Sequence, residues 1–106
     1  MSKKEQPLVR ELFPGLVTEL IACLREEGEE YLAISAWDIR LYEDCGCGDD
    51  FCQSFYTAER PPGAYGPGHR NVLLTPAEGD LILDVVEERI VFVEVLYYPR
   101  LQRPAH

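Results

Sequence analysis

Near the N-terminus the apolar residues recur at helical spacing, with Leu16, Val17, Leu20, Ile21 and Leu24 falling on one stripe. That stripe predicts an amphipathic helix, and Gly28 is placed to end it. Leu8, Val9, Leu12 and Phe13 repeat the pattern upstream, but Pro14-Gly15 interrupts it, so two helical segments are expected on either side of the break. Cys23 falls at the margin of the second stripe. A third short helix is expected over 29–35.

From Trp37 the period changes to two. Trp37, Ile39 and Leu41 alternate with Asp38, Arg40 and Tyr42, which predicts a strand with its odd positions facing a core. Continued extended backbone would carry Cys45 and Cys47 onto that inward face. A return strand over 51–57 would complete a hairpin, and pairing Cys45 with Cys52 would set Leu41 opposite Tyr56. The stretch "AERPPGAYGPGH" cannot sustain a ladder and predicts a mobile loop over 58–69. Residues 71–74 then read as a short strand, and 81–86 and 90–98 as a hairpin around 87–89, rich in β-branched and aromatic residues.

Helices before strands, without alternation, predict an α+β fold in which N-terminal helices pack on an antiparallel meander of four to five strands. In 90–98 both sets of alternate residues are apolar except Glu94, so both sheet faces need cover. The helices can cover one. The other needs a loop, a ligand or a neighbouring molecule, and a homodimer through this C-terminal hairpin is expected.

At 106 residues a single domain is expected over 1–106, with flexible ends at 1–7 and 102–106. Neither an apolar run long enough to span a membrane nor a hydrophobic signal core occurs, so no membrane association is expected and the cytoplasm is the expected compartment. Nineteen acidic against ten basic side chains give a net charge of −9, which repels a phosphate backbone and argues against nucleic acid as a partner. An acidic surface can instead steer a basic protein.

The chemistry concentrates in "DCGCGDDFC", residues 44–52, which holds three of the four cysteines. In a reducing compartment these are metal ligands, redox groups or free thiols more naturally than permanent disulfides. Cys45, Cys47 and Cys52 supply three sulfurs, and a glycine after each of the first two lets the backbone turn around an ion. Closed structural zinc sites take four cysteines, or three and a histidine, so His69 or Cys23 is the expected fourth ligand. An open three-ligand site would resemble catalytic zinc, although no partnering general base is marked by spacing. A redox centre needs a stabilised thiolate, which Asp44, Asp49 and Asp50 disfavour, and the Cys-x-x-Cys pattern is absent.

His69 reads foremost as a loop histidine, with a metal ligand or an acid/base residue as its alternatives, and His106 is the last residue of the sequence. Glu94 and Asp84 are strand carboxylates that suit structural pairing, Glu94 with an arginine such as Arg40. No phosphate-binding loop, nucleophile elbow or His-Glu-x-x-His helix occurs.

The order of a helix, Cys45-Gly46-Cys47-Gly48 with Cys52, and a hairpin closing on Val93-Glu94-Val95-Leu96 resembles small uncharacterised bacterial proteins with a cysteine-glycine turn. The resemblance spans roughly residues 16–101 and implies the architecture, with no activity attached. The expected function is a non-enzymatic protein-binding module with a zinc site at the turn. The alternatives are a small thiol- or metal-dependent enzyme centred on the same cysteines, and an acidic immunity-type inhibitor of a basic toxin.

Overall fold

The computed structural model describes residues 6–102. The flexible ends expected from the sequence lie almost wholly outside that range, as does His106. Three helices come first, α1 (Val9–Leu12), α2 (Pro14–Glu26) and α3 (Glu30–Ala36). The break between α1 and α2 falls at Phe13, whose φ of −135° and ψ of 70° leave the helical region, and Pro14 restarts the helix where a missing N–H costs nothing. Leu16, Val17, Leu20 and Leu24 of the predicted stripe form the buried face of α2, where Cys23 is buried with them and Ile21 is only half-buried.

Five strands follow, namely β1 (Glu43–Asp44), β2 (Phe55–Tyr56), β3 (His69–Leu74), β4 (Asp80–Val86) and β5 (Arg89–Leu96). They form one antiparallel sheet in the order β1-β2-β5-β4-β3. The last three are a meander, and the β1–β2 hairpin is attached to its free edge at β5. The fold is therefore α+β with the helices N-terminal to the strands. A two-residue loop, Glu87-Glu88, closes β4 on β5 with both φ values positive, the arrangement whose twist matches that of the flanking strands.

The core lies between the helices and one face of the sheet. Leu20, Leu24 and Leu32 meet Leu81, Leu83, Val93 and Val95, and all are fully buried. Burying each leucine contributes on the order of 2 kcal/mol. The opposite face carries Leu73, Ile82 and Glu94 in register across β3, β4 and β5, and Leu73 is 65 % exposed. Part of that face is covered where Tyr56 packs on Phe92, with ring centroids 4.5 Å apart.

Two expectations fail around residue 40. Residues 37–42 are not a strand: Trp37 follows the end of α3, and Arg40 makes only an isolated bridge with Leu8. Ile39 and Leu41 are buried as the alternation required, but Val9 and Pro7 supply their backbone partners. The period of two thus recorded burial against the N-terminal segment, and Trp37 is 52 % exposed. The hairpin register also differs, with Glu43 opposite Tyr56 and Asp44 opposite Phe55. The strands are two residues long each, and beyond Asp44 the chain turns away at Gly46 and Gly48, whose φ values are positive.

Candidate metal centre

The cysteine loop hangs between two pinned limbs. On the outgoing limb the Cys45 N–H donates to the Ser54 carbonyl at 3.1 Å. On the return limb the Gln53 N–H donates to Val95 O at 2.8 Å, Cys52 bridges to Leu96, and the Tyr97 N–H donates to Phe51 O at 2.9 Å. The loop is thereby anchored to β5, a central strand. Between the limbs, Gly46 and Gly48 have φ of 75° and 81°, a region that costs a side chain about 1–2 kcal/mol and glycine nothing. Two left-handed residues in three turn the chain back on itself and bring Cys47 over Cys45.

The three predicted ligands converge. Cys45 Sγ lies 3.2 Å from Cys47 Sγ and 3.4 Å from Cys52 Sγ. All three sulfurs fall within 4.8 Å of one another, close enough to hold a metal ion. Zinc–sulfur bonds of about 2.3 Å in a tetrahedron put neighbouring sulfurs about 3.8 Å apart, so the Cys45–Cys47 and Cys45–Cys52 pairs would each open by only about half an ångström to seat an ion. Cys45 and Cys52 are half-buried and Cys47 is exposed, which places the sulfurs in an open pocket and not on the inward face. That pocket, about 350 Å³, is bordered by Phe13, Asp50, Gln53, Arg100 and Leu101.

The environments of the thiols differ. Burial pushes the Cys45 thiol up to about 11, reinforced by its neighbouring thiols and only partly offset by a backbone hydrogen bond at Cys47. Burial acts upwards on Cys52 as well, but hydrogen bonds from the Ser54 hydroxyl and backbone and from the other two thiols outweigh it and hold Cys52 below the usual thiol range. As a neutral thiol Cys52 donates to Ser54 Oγ at 3.2 Å; as a thiolate it can accept from the same hydroxyl.

The other candidates lie elsewhere. His69 opens β3, and its Nε2 is 2.8 Å from Asp84 Oδ1 while its ring packs on Tyr65. Cys23 is buried on α2, where burial and then Glu19 and Glu26 raise its pKa. Glu94 stands half-buried opposite Ile82, while Arg40 donates to the Gln6 carbonyl. Asp84 accepts from His69 and from Asn71, the structural pairing expected of a strand carboxylate.

Sequence reasoning did not find Ser54, Gln53, Arg100 or Leu101. Ser54 carries a local signal, a hydroxyl two positions after a cysteine. The Gln53 side chain receives the Leu101 N–H at 2.8 Å and donates to Tyr98 and Pro99 carbonyls at 3.2 Å, so it ties the C-terminal segment to the pocket. Such a long-range contact has no local signature. No family model, curated protein or solved structure matches the chain, and the triad therefore stands on its own geometry as a cluster able to hold a metal.

Proposed function

We propose that the protein is a thiolate metal-binding module in which Cys45, Cys47 and Cys52 hold a zinc ion, and that it acts by binding another protein and not by catalysis. The observation that carries this reading is the convergence of three sulfurs on a loop whose limbs are anchored to β5. An ion there would cross-link the loop to itself and add its binding energy to folding. All four cysteines are free thiols, the state favoured in a reducing compartment such as the cytoplasm.

The protein-binding part rests on α3. Tyr31, Ile34 and Trp37, three residues apart, are 64 %, 65 % and 52 % exposed and form one apolar row, with Arg10 stacked 4.7 Å from the Trp37 ring. Exposed aromatic groups of this kind are typical of interface centres, and the charge of −9 favours a basic partner. A second copy docked on the outer face of the sheet is favoured by exposed Leu73, and a monomeric mass in light scattering at micromolar concentration overturns that interface.

Elemental analysis of the purified full chain tests the site. One zinc per chain is expected, lost in Cys47→Ser and retained in Cys23→Ser. Metal-free protein that stays metal-free after dialysis against zinc, with rapidly titrating thiols, rejects the site and favours the thiol-dependent alternative.

A further inference from the structure

We infer that Cys45, Cys47 and Cys52 also form a receptor for trivalent arsenic, taken up as neutral arsenous acid and held by three sulfurs in a pyramidal centre; this rests on the triad acting as a three-sulfur ligand set, as proposed above. Cys45 Sγ stands 3.2 Å from Cys47 Sγ and 3.4 Å from Cys52 Sγ. With bonds of about 2.3 Å, a tetrahedral ion sets its sulfurs about 3.8 Å apart, and a planar three-coordinate ion about 4.0 Å. A three-coordinate centre that carries a lone pair draws its bonds together to angles of about 95°, which at the same bond length brings the sulfurs to about 3.4 Å. Both pairs thus suit the pyramidal centre without opening.

The ligand count agrees. Thiolates select soft ions, and trivalent arsenic completes its coordination with three of them. The cluster among the described residues is three cysteines with no further donor. Two of the sulfurs are preset, because Cys45 is tied through its N–H to Ser54 O and Cys52 bridges to Leu96 on β5. Cys47 lies between Gly46 and Gly48 with its side chain exposed. It is the arm that closes, bringing its sulfur from within 4.8 Å of Cys52 onto the bound centre.

The reaction balances without an oxidant or reductant. Three S–H bonds and three As–O bonds break, three As–S bonds form, and each thiol proton leaves with a hydroxide as water. Arsenic stays trivalent. Ser54 accommodates the change, since its oxygen accepts the Val95 N–H while its own proton is free to turn towards Cys52 once that sulfur has lost its hydrogen.

Charge favours this occupant too. Zinc with three thiolates is a net anion, and Asp44, Asp49 and Asp50 border the pocket against a single Arg100. The arsenic trithiolate is neutral and meets no such repulsion. The pocket, about 350 Å³, is large enough for a small neutral solute to reach all three sulfurs.

Titration of the reduced, metal-free full chain with sodium arsenite tests the assignment, followed by sulfur-to-arsenic charge-transfer absorption and by native mass spectrometry. One arsenic per chain is expected, at a mass showing three hydrogens lost, and Cys23→Ser should behave as the parent. Closing the third bond within one molecule is worth about 100-fold or more, so Cys47→Ser should weaken arsenite binding by at least that factor. Phenylarsine oxide, which takes only two sulfurs, should bind the parent and Cys47→Ser alike, showing that Cys45 and Cys52 remain in place. Unchanged arsenite affinity in Cys47→Ser overturns the three-sulfur centre. A parent chain that takes up zinc but no arsenite overturns this inference and leaves the zinc reading intact, whereas uptake of neither overturns both.

Discussion

Cys52 Sγ donates to Ser54 Oγ across 3.2 Å, and the same oxygen accepts the buried backbone N–H of Val95 at 2.9 Å. One hydroxyl therefore joins the cysteine loop to the middle of β5. Ser54→Ala removes the side-chain acceptor of that N–H, and an orphaned buried donor costs about 1–3 kcal/mol. A loss of about 1–2 kcal/mol is expected in urea denaturation of the metal-free chain. A variant as stable as the parent would show that Val95 finds another acceptor.

Gly79 sits where the turn before β4 presses on the end of β5. Its φ is 80°, and a Cβ there would lie 2.5 Å from Tyr97 O and 2.7 Å from Leu96 O. Both obstacles are backbone and cannot swing aside. Gly79→Ala is expected to cost about 3 kcal/mol, combining left-handed strain with displacement of the β5 terminus, and thermal unfolding should register it as a clear drop in Tm. A change within error would mean the turn can be rebuilt without disturbing Tyr97.

Glu29 and Arg70 form a two-pronged pair, with both nitrogen–oxygen distances 3.0 Å, and Arg70 also reaches Glu88 at 3.1 Å. The hydrogen bonds from Arg70 hold the Glu29 carboxyl below its usual range, against a smaller opposing effect of burial. A depressed carboxylate contributes stability that is present above its unfolded value, about 4.3, and lost as pH falls through the lower folded value. Denaturation midpoints taken from pH 6 downwards should therefore fall less steeply below pH about 4.3 in Glu29→Gln than in the parent. Parallel curves would show the pair to be energetically silent, as many exposed pairs are.

The helices were legible because Leu16, Leu20 and Leu24 repeat at a spacing only a helix can use, and Pro14 marks the restart. The β4–β5 hairpin was legible from its density of β-branched residues, although its turn is two residues, Glu87-Glu88, and not the three expected over 87–89. Around residue 40 the same reasoning failed for a physical reason: Ile39 and Leu41 alternate because they are buried under α1, and alternation reports burial before it reports pairing. The cysteine triad was visible as composition and spacing. Its support was not, since Ser54 to Val95 and Gln53 to Leu101 are contacts between residues more than forty positions apart. His69 and Cys23 were offered as fourth ligands by residue type alone, and the strand register sets His69 at the Arg89 end of β5, away from Cys52 opposite Leu96.

The attachment of the cysteine loop to β5 fixes an order of events during synthesis. The thiols leave the ribosome before the strand that seats them, so the loop lacks its backing until β5 is made. A nascent chain that meets zinc early would hold the ion on a floppy loop. Only when the final hairpin closes does the loop acquire the backing that would make a bound ion part of the fold.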